Sequence, residues 1–323
     1  MAVPTSFAEL MHRLRAAGEP TRFRILAACA TGELTVGELC AVLGQSQPRV
    51  SRHLRLLCDA GLLVRFREEH CVYYRTPLRG EEADAVRELL ANLRAGDHVA
   101  AADRARAVKV RSARAAEAVA HLRRAAPAEK RSAKAIDAPR AGAPASAAPA
   151  SLPSALLEEI GQNSVGELLD IGTGTGRILQ WLAPRATQAI GIDLESQMLR
   201  IARTTVHAAG LSHCILRRGD MYALPYEDAS FDTVAMDHVL ADAERPLAVL
   251  REAARLLKKG GRLIVIEEFD RLEALGARNA LETLRDWLLG AGVTCERLRP
   301  VDADGQHLIL ALGHRRDAVG VAA

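Results

Sequence analysis

Along the first sixty residues, apolar positions recur at helical spacing in four short runs that predict helices at about Phe7 to Ala17, Pro20 to Ala30, Val36 to Leu43 and Pro48 to Ala60. Gly18, Gly32, Gly44 and Gly61 fall where each helix should end, Thr35 stands at a capping position, and Pro48 occupies a first turn where a missing N–H costs nothing. From Val64 to Tyr74 the period shortens to two, predicting a two-stranded ribbon that turns at Glu68, Glu69 and His70. Helices followed by a hairpin outline a winged helix over residues 1–78. Residues 79–126 are rich in Ala, Arg, Glu and Leu, and predict a long dimerisation or connecting helix, broken near Gly96 and too polar to join a core. Residues 127–153 shift to Ala, Pro, Ser and charge, a composition that buries too little apolar surface to offset ordering, and predict a flexible linker.

Beyond the linker, over 154–323, apolar runs alternate with helical patterns. Strands are predicted at Glu167 to Ile171, Gln188 to Ile192, Cys214 to Arg218, Thr233 to Met236, Arg262 to Glu267, Cys295 to Arg299 and His307 to Leu312. Strands alternating with helices predict a parallel, doubly wound α/β sheet of Rossmann-like type. The fold class is therefore multidomain: an α+β winged helix-turn-helix, then an α/β domain.

Charge sharpens this division. The net charge of +3 conceals roughly +6 up to Ala126 and roughly −3 after it, which places a nucleic-acid partner with the first part. Six cysteines lie scattered without a CxxC pair and without a charged-then-apolar leader, and no apolar run approaches a bilayer span. A soluble cytoplasmic protein with no membrane partner is expected.

The segment Gln45 to Leu57 puts Val50, Leu54 and Leu57 on one helical face and leaves Gln47, Arg49, Ser51, Arg52 and His53 largely elsewhere, with Arg55 beside them. A cationic, hydrogen-bonding outer face is what the major groove requires, since Arg pairs bidentately with guanine and Gln with adenine. Arg65, Arg67 and Arg75 in the ribbon supply a wing for the phosphate backbone. Over about Ser6 to Leu78, in the run GEPTRFRILAACATGELTVGELCAVLGQSQPRVSRHLRLLCDAGLLVRFREEHCVYYR, the chain resembles the ArsR-type winged-helix repressors. The resemblance implies a homodimer, joined through the first helix and the helix after the wing, on an inverted-repeat DNA operator. It also exposes a departure: where arsenic- and cadmium-sensing relatives carry a Cys pair, this chain has Thr35 and Gly37. Asp97, His98, Asp103 and His121 do not reproduce the zinc-sensing pattern, so no metal site is expected.

In the second half, Glu167 to Arg177 runs a strand through Asp170, Gly172, Thr173, Gly174 and Gly176 into a helix. Arg177 stands where the dinucleotide fingerprint needs its third glycine; the acid-x-GxGxG arrangement suits S-adenosylmethionine (SAM) instead. Asp193 and Leu194 end the second strand, where a carboxylate can accept ribose hydroxyls, and Asp220 with Met221 ends the third, suited to adenine. From about Leu156 to Phe269, through DIGTGTG, GIDLESQML, GDMYALPYEDASFDTV and RLLKKGGRLIVIEEF, the chain resembles class I SAM-dependent methyltransferases of the ubiquinone/menaquinone C-methylase type. Asp237 and His238, past the fourth strand, lie where an acceptor-facing group belongs, with Asp237 placed among the cofactor-binding residues and His238 as general base.

The expected function is thus a DNA-binding regulator, a repressor by resemblance, with a SAM-dependent methyltransferase domain acting on a small molecule. Two departures favour the alternative of a transcription factor that senses SAM or its product S-adenosylhomocysteine (SAH) without turnover. The aromatic YFxxxAxxWD-like segment of fused relatives is replaced by the Ala/Pro linker, and the stretch Asp270 to Gly292 is short for an acceptor lid.

Overall fold

The computed structural model describes residues 6–94, 96–125, 151–161, 164–275, 279–303 and 305–316. Its contacts divide the chain into two compact units, one holding residues up to His121 and the other most of the chain from Leu122 onward. The expected linker lies outside the described residues except for 151–153, of which 152 and 153 open a helix.

In the first unit, α1 (Phe7–Ala17) is held at its start by reciprocal bonds between Ser6 and Glu9, and α2 (Pro20–Ala30) begins on proline. A short strand, β1 (Leu34–Thr35), leads into α3 (Val36–Leu43), where Thr35 and Glu38 form a second capping box. α4 (Gln47–Asp59) buries Val50, Leu54 and Leu57, its one apolar stripe, against the core around Ile25, Leu26, Leu39 and Val42. The ribbon is β2 (Val64–Glu68) and β3 (Cys71–Arg75), with Glu69 in the left-handed region at φ 51°. β1 adds to β3 and completes a three-stranded antiparallel sheet.

The long helix breaks near Gly96 as expected, into α5 (Glu81–Ala91) and α6 (His98–Ala125), but against expectation α6 enters the core. Ala100, Asp103, Ala107, Arg111, Arg114 and Ala118 form a buried stripe at spacings of three and four. Small alanines permit close approach, and the charges are paired. Asp103 takes two bonds from Arg24, at 2.6 and 2.8 Å, and another from Arg106. Arg114 meets Glu38 at 3.1 Å, and Arg111 reaches the Thr31 hydroxyl and the Gly32 carbonyl at 3.1 Å each. Hydropathy alone overlooked this because the partners of these charges lie about eighty residues away.

The second unit opens with α7 (Leu152–Ile160) and then alternates β4 (Gly166–Ile171), α8 (Arg177–Leu182), β5 (Ala186–Asp193), α9 (Ser196–Ala208), β6 (Cys214–Arg218), β7 (Phe231–Asp237), α10 (Pro246–Leu256) and β8 (Leu257–Glu268). It closes with α11 (Phe269–Glu273), α12 (Ala280–Gly290), β9 (Val293–Ala303) and β10 (Gln306–Arg315). The seven strands lie in the order β6-β5-β4-β7-β8-β10-β9. All seven expected strands are present, but the sheet is not wholly parallel: β10 runs antiparallel to both β8 and β9. The cause is connection length, since the link from Ala303 to Gln306 is too short for a crossover and forces a hairpin. The chain winds outward from β4 through β5 to β6, then returns to β7 on the other side of β4. The resulting switch point between β4 and β7 opens a crevice at the carboxyl ends of the strands, the usual place for a ligand in such sheets.

Candidate functional site

On α4, Gln47, Arg49, Ser51, Arg52 and Arg55 are exposed, as is Arg67 on the wing, where its Nε donates to the Glu69 carbonyl at 2.9 Å. Five of the recognition-helix residues thus share the solvent side of a helix whose opposite face is locked into the core. His53 stands apart. Its side chain is 13% exposed and lies 3.5 Å from Glu19, the residue that caps α2. Burial lowers its pKa, opposed by Glu19 and reinforced by the charges of Arg22, Arg49 and Arg52.

In the second unit the strand-end acids are brought to one edge by the parallel register, in which Ile171 lies beside Ile192 and Met236, and Asp193 beside Arg218. Asp170 is fully buried; Thr173 donates its hydroxyl to Oδ2 at 2.6 Å, while Oδ1 is buried without a partner. Burial pushes its carboxyl well above the usual range, opposed by the Thr173 bond and by Arg177 and reinforced by Asp237 and Asp193. The loop after Asp170 is tied to the next strand: Thr173 N–H donates to the Ile192 carbonyl and Gly174 N–H to Asp193 Oδ2, each at 2.8 Å. Asp193 Oδ1 accepts from Glu195 N–H at 2.8 Å.

Two glycines are required by space. At Gly172, φ is 70° and a Cβ would sit 2.5 Å from Val239; at Gly191, a Cβ would meet the Thr173 hydroxyl at 2.7 Å. Gly174 and Gly176 complete the turn, with Gly176 N–H closing it onto the Thr173 carbonyl. Leu194, beside Asp193, is 60% exposed, an apolar side chain at the crevice with nothing covering it. Asp220 is exposed and accepts from Tyr222 N–H at 3.0 Å, and Met221 is half-buried against the core.

Asp237 ends β7, and its carboxylate is engaged within the protein. Its carboxylate accepts two bonds from Arg177, Nε at 2.9 Å and Nη2 at 2.7 Å to Oδ2, and lies 2.7 Å from His238 Nδ1 through Oδ1. Although burial works the other way, the His238 bond and the Arg177 charge hold Asp237 below the usual carboxylate range. Arg177 also lies 3.3 Å from Nδ1, but a guanidinium only donates and is already directed at Asp237. The proton between His238 and an ionised Asp237 therefore belongs on Nδ1, so that in the neutral ring Nε2 is the acceptor; that atom is buried without a partner.

Sequence reasoning missed Arg177, Gly191 and Glu267. In the sequence Arg177 stands out only as a missing glycine, Gly191 is an isolated glycine inside a strand pattern, and Glu267 is the end of an expected strand. In the structure Glu267 is fully buried, and burial raises its pKa to about 7 against the opposing amide bonds.

A winged helix with a solvent-facing cationic helix, and a Rossmann-like domain with a glycine loop and acids at its switch point, define a protein that pairs a DNA reader with a nucleoside-cofactor domain. Comparison with known families agrees: residues 19–64 match the family described as bacterial regulatory protein, arsR family, and residues 169–265 match a methyltransferase domain. The chain thus carries an ArsR-family helix-turn-helix followed by a methyltransferase domain with a mostly parallel central sheet. Among its relatives, a demethylmenaquinone methyltransferase of Tropheryma whipplei (strain Twist) is 37% identical over 108 residues, 33% of this chain and 44% of that protein. A phosphatidylethanolamine N-methyltransferase of Cereibacter sphaeroides is 35% identical over 107 residues, 33% of this chain and 52% of that protein. The matched segment spans about half of these curated relatives. The crystal structure of a SAM dependent methyltransferase from Aquifex aeolicus aligns with 21% identity and a TM-score of 0.44, covering 50% of this chain and 89% of that one. No group of three or more metal-ligating side chains occurs among the described residues, and no helix there is long and apolar enough to cross a membrane.

Proposed function

We propose that this protein is a cytoplasmic, homodimeric, DNA-binding transcriptional repressor whose C-terminal domain binds SAM and methylates a small-molecule acceptor. The observation that carries the SAM assignment is Asp193, a carboxylate at the end of β5 that braces the glycine loop through Gly174 and stands where ribose hydroxyls bind in such folds. The rest of the crevice fits the same ligand. Asp170 offers an unpartnered buried oxygen, Leu194 and Met221 offer apolar surface for an adenine ring, and Asp220 offers an acceptor for its amino group. Gly172, Thr173, Gly174 and Gly176 let the backbone come close. SAM itself supplies an activated methyl group, so the protein's remaining task is to align the acceptor and take up its proton. His238 Nε2 suits that second task, with Asp237 orienting the ring.

The homodimer reading is supported by α1, where Phe7, Leu10 and Leu14 share one face and are 80%, 47% and 43% exposed. An apolar stripe of that kind is characteristic of a covered surface. DNA reading falls to Gln47, Arg49, Ser51, Arg52 and Arg55, with Arg67 on the backbone.

The test uses full-length protein with methyl-labelled SAM and three acceptor sources: a demethylmenaquinol, phosphatidylethanolamine vesicles and a pooled metabolite extract. Label transfer to any of them supports the enzyme. Its absence, with an operator affinity that still responds to SAM or SAH, supports the sensing alternative. A C-terminal domain that binds neither ligand would sink both.

A further inference from the structure

The turn that follows β7 is costly as built. His238 has φ 57°, a left-handed conformation that is strained for a non-glycine residue. Glu267 is a carboxylate with no exposure, on a strand whose neighbouring residues Val265 and Ile266 are apolar and buried. The two costs meet at one place. Val239 and Leu240 donate their N–H groups to Glu267 Oε1 at 2.8 and 2.6 Å, and Ala241 donates to Oε2 at 3.4 Å. His238 N–H donates to the Ile266 carbonyl at 2.9 Å. Successive amides converging on one anion form a nest, and such a nest fixes the backbone that makes it. A hydrophobic residue at position 267 would fill the core equally well but would leave those amides buried without acceptors.

We infer that Glu267 is a positioning residue for His238: by gathering the amides of residues 239–241 it holds the turn that keeps His238 Nδ1 on Asp237 and leaves Nε2 as the unpartnered acceptor. The inference rests on the reading of His238 as the acceptor-side base. Oε1 accepts both short bonds whether or not Glu267 is protonated, so the hold depends on the oxygen rather than on the charge. Glutamine should therefore replace it and alanine should not.

The test follows the His238 ring directly, by nitrogen NMR of full-length protein carrying isotope-labelled histidine, with the signal assigned by its loss in His238→Gln. The unsubstituted protein should show one neutral tautomer, protonated at Nδ1. Glu267→Ala should lose that single tautomer, and Glu267→Gln should retain it. Calorimetric SAH binding and the thermal midpoint report whether each variant is folded; if the alanine variant is not, Glu267→Asp, one methylene short of the amides, supplies the same comparison. A purely structural Glu267 would lower the midpoint while leaving the ring signature intact, and that result overturns the inference. So does a glutamine variant that loses the tautomer as fully as alanine. Failure of the underlying reading looks different: His238→Gln would then transfer methyl groups at the unsubstituted rate while the ring data stood.

Discussion

At the scale of single residues, two carboxylates do opposite things with burial. Asp193 remains at the crevice and spends its oxygens on backbone amides, so Asp193→Ala removes acceptors from Gly174 and Glu195 as well as from a ribose. Hydrogen bonds to charged groups contribute about 1.5–3 kcal/mol each. SAH affinity should fall by roughly tenfold to a hundredfold in titration calorimetry; an unchanged affinity would remove Asp193 from the site. Glu267 is the reverse case, with a folded-state pKa raised from 4.5 to about 7 by burial. The folded protein then holds a proton that the unfolded chain has released, so this group's contribution to stability falls as pH rises from about 4.5 to about 7. Glu267→Gln should lack that fall. Urea unfolding at pH 5 and pH 8 should show the variant gaining on the unsubstituted protein towards the higher pH, by on the order of 3 kcal/mol over the full transition.

At the scale of elements, α4 and α1 each pair a buried face with an exposed one, and the exposed faces have different chemistry. Arg52→Ala on α4 removes a cation from a surface with no structural duty, so operator affinity should drop by about 1–3 kcal/mol with the thermal midpoint unchanged. An equal drop for Arg49→Ala and Arg52→Ala on random DNA would mark both as phosphate contacts. Leu10→Glu on α1 should shift the species seen by sedimentation from dimer to monomer; a dimer that survives would place the interface elsewhere. These elements were legible in the sequence because local rules set them: a cap at Thr35, proline at 48, glycines where helices end, and period-two alternation from Val64. Likewise Asp170, Asp193 and the glycine loop followed from spacing alone. What was illegible depended on partners distant in the chain. Asp237 could not be seen to face Arg177, sixty residues earlier, nor Glu267 to face the turn at 239–241, nor α6 to bury arginines. The antiparallel β10 was missed for a simpler reason, the shortness of one connection.

At the scale of the whole molecule, a basic winged-helix part and an acidic methyltransferase-domain part share one chain, and that charge division makes a prediction. Operator binding should weaken steeply with salt, because phosphate contacts release counterions. If SAM or SAH changes operator affinity by some factor at fixed salt, operator DNA must change the affinity for that ligand by the same factor. Measuring both legs of that cycle, and finding them unequal, would refute a direct coupling of the two equilibria. Within the first unit, the docking of α6 limits what motion is available to carry any such coupling. Its buried stripe is keyed by charge at Asp103, Arg111 and Arg114, each matched to a particular partner on α2, α3 or the turn between them. Sliding the helix by one turn, about 5.4 Å, would strand all three at once in an environment that penalises unpaired charge. An oily stripe would tolerate such creep; this one does not. α6 is therefore keyed to a single register on this core, a bolt in its socket rather than a slider on a rail.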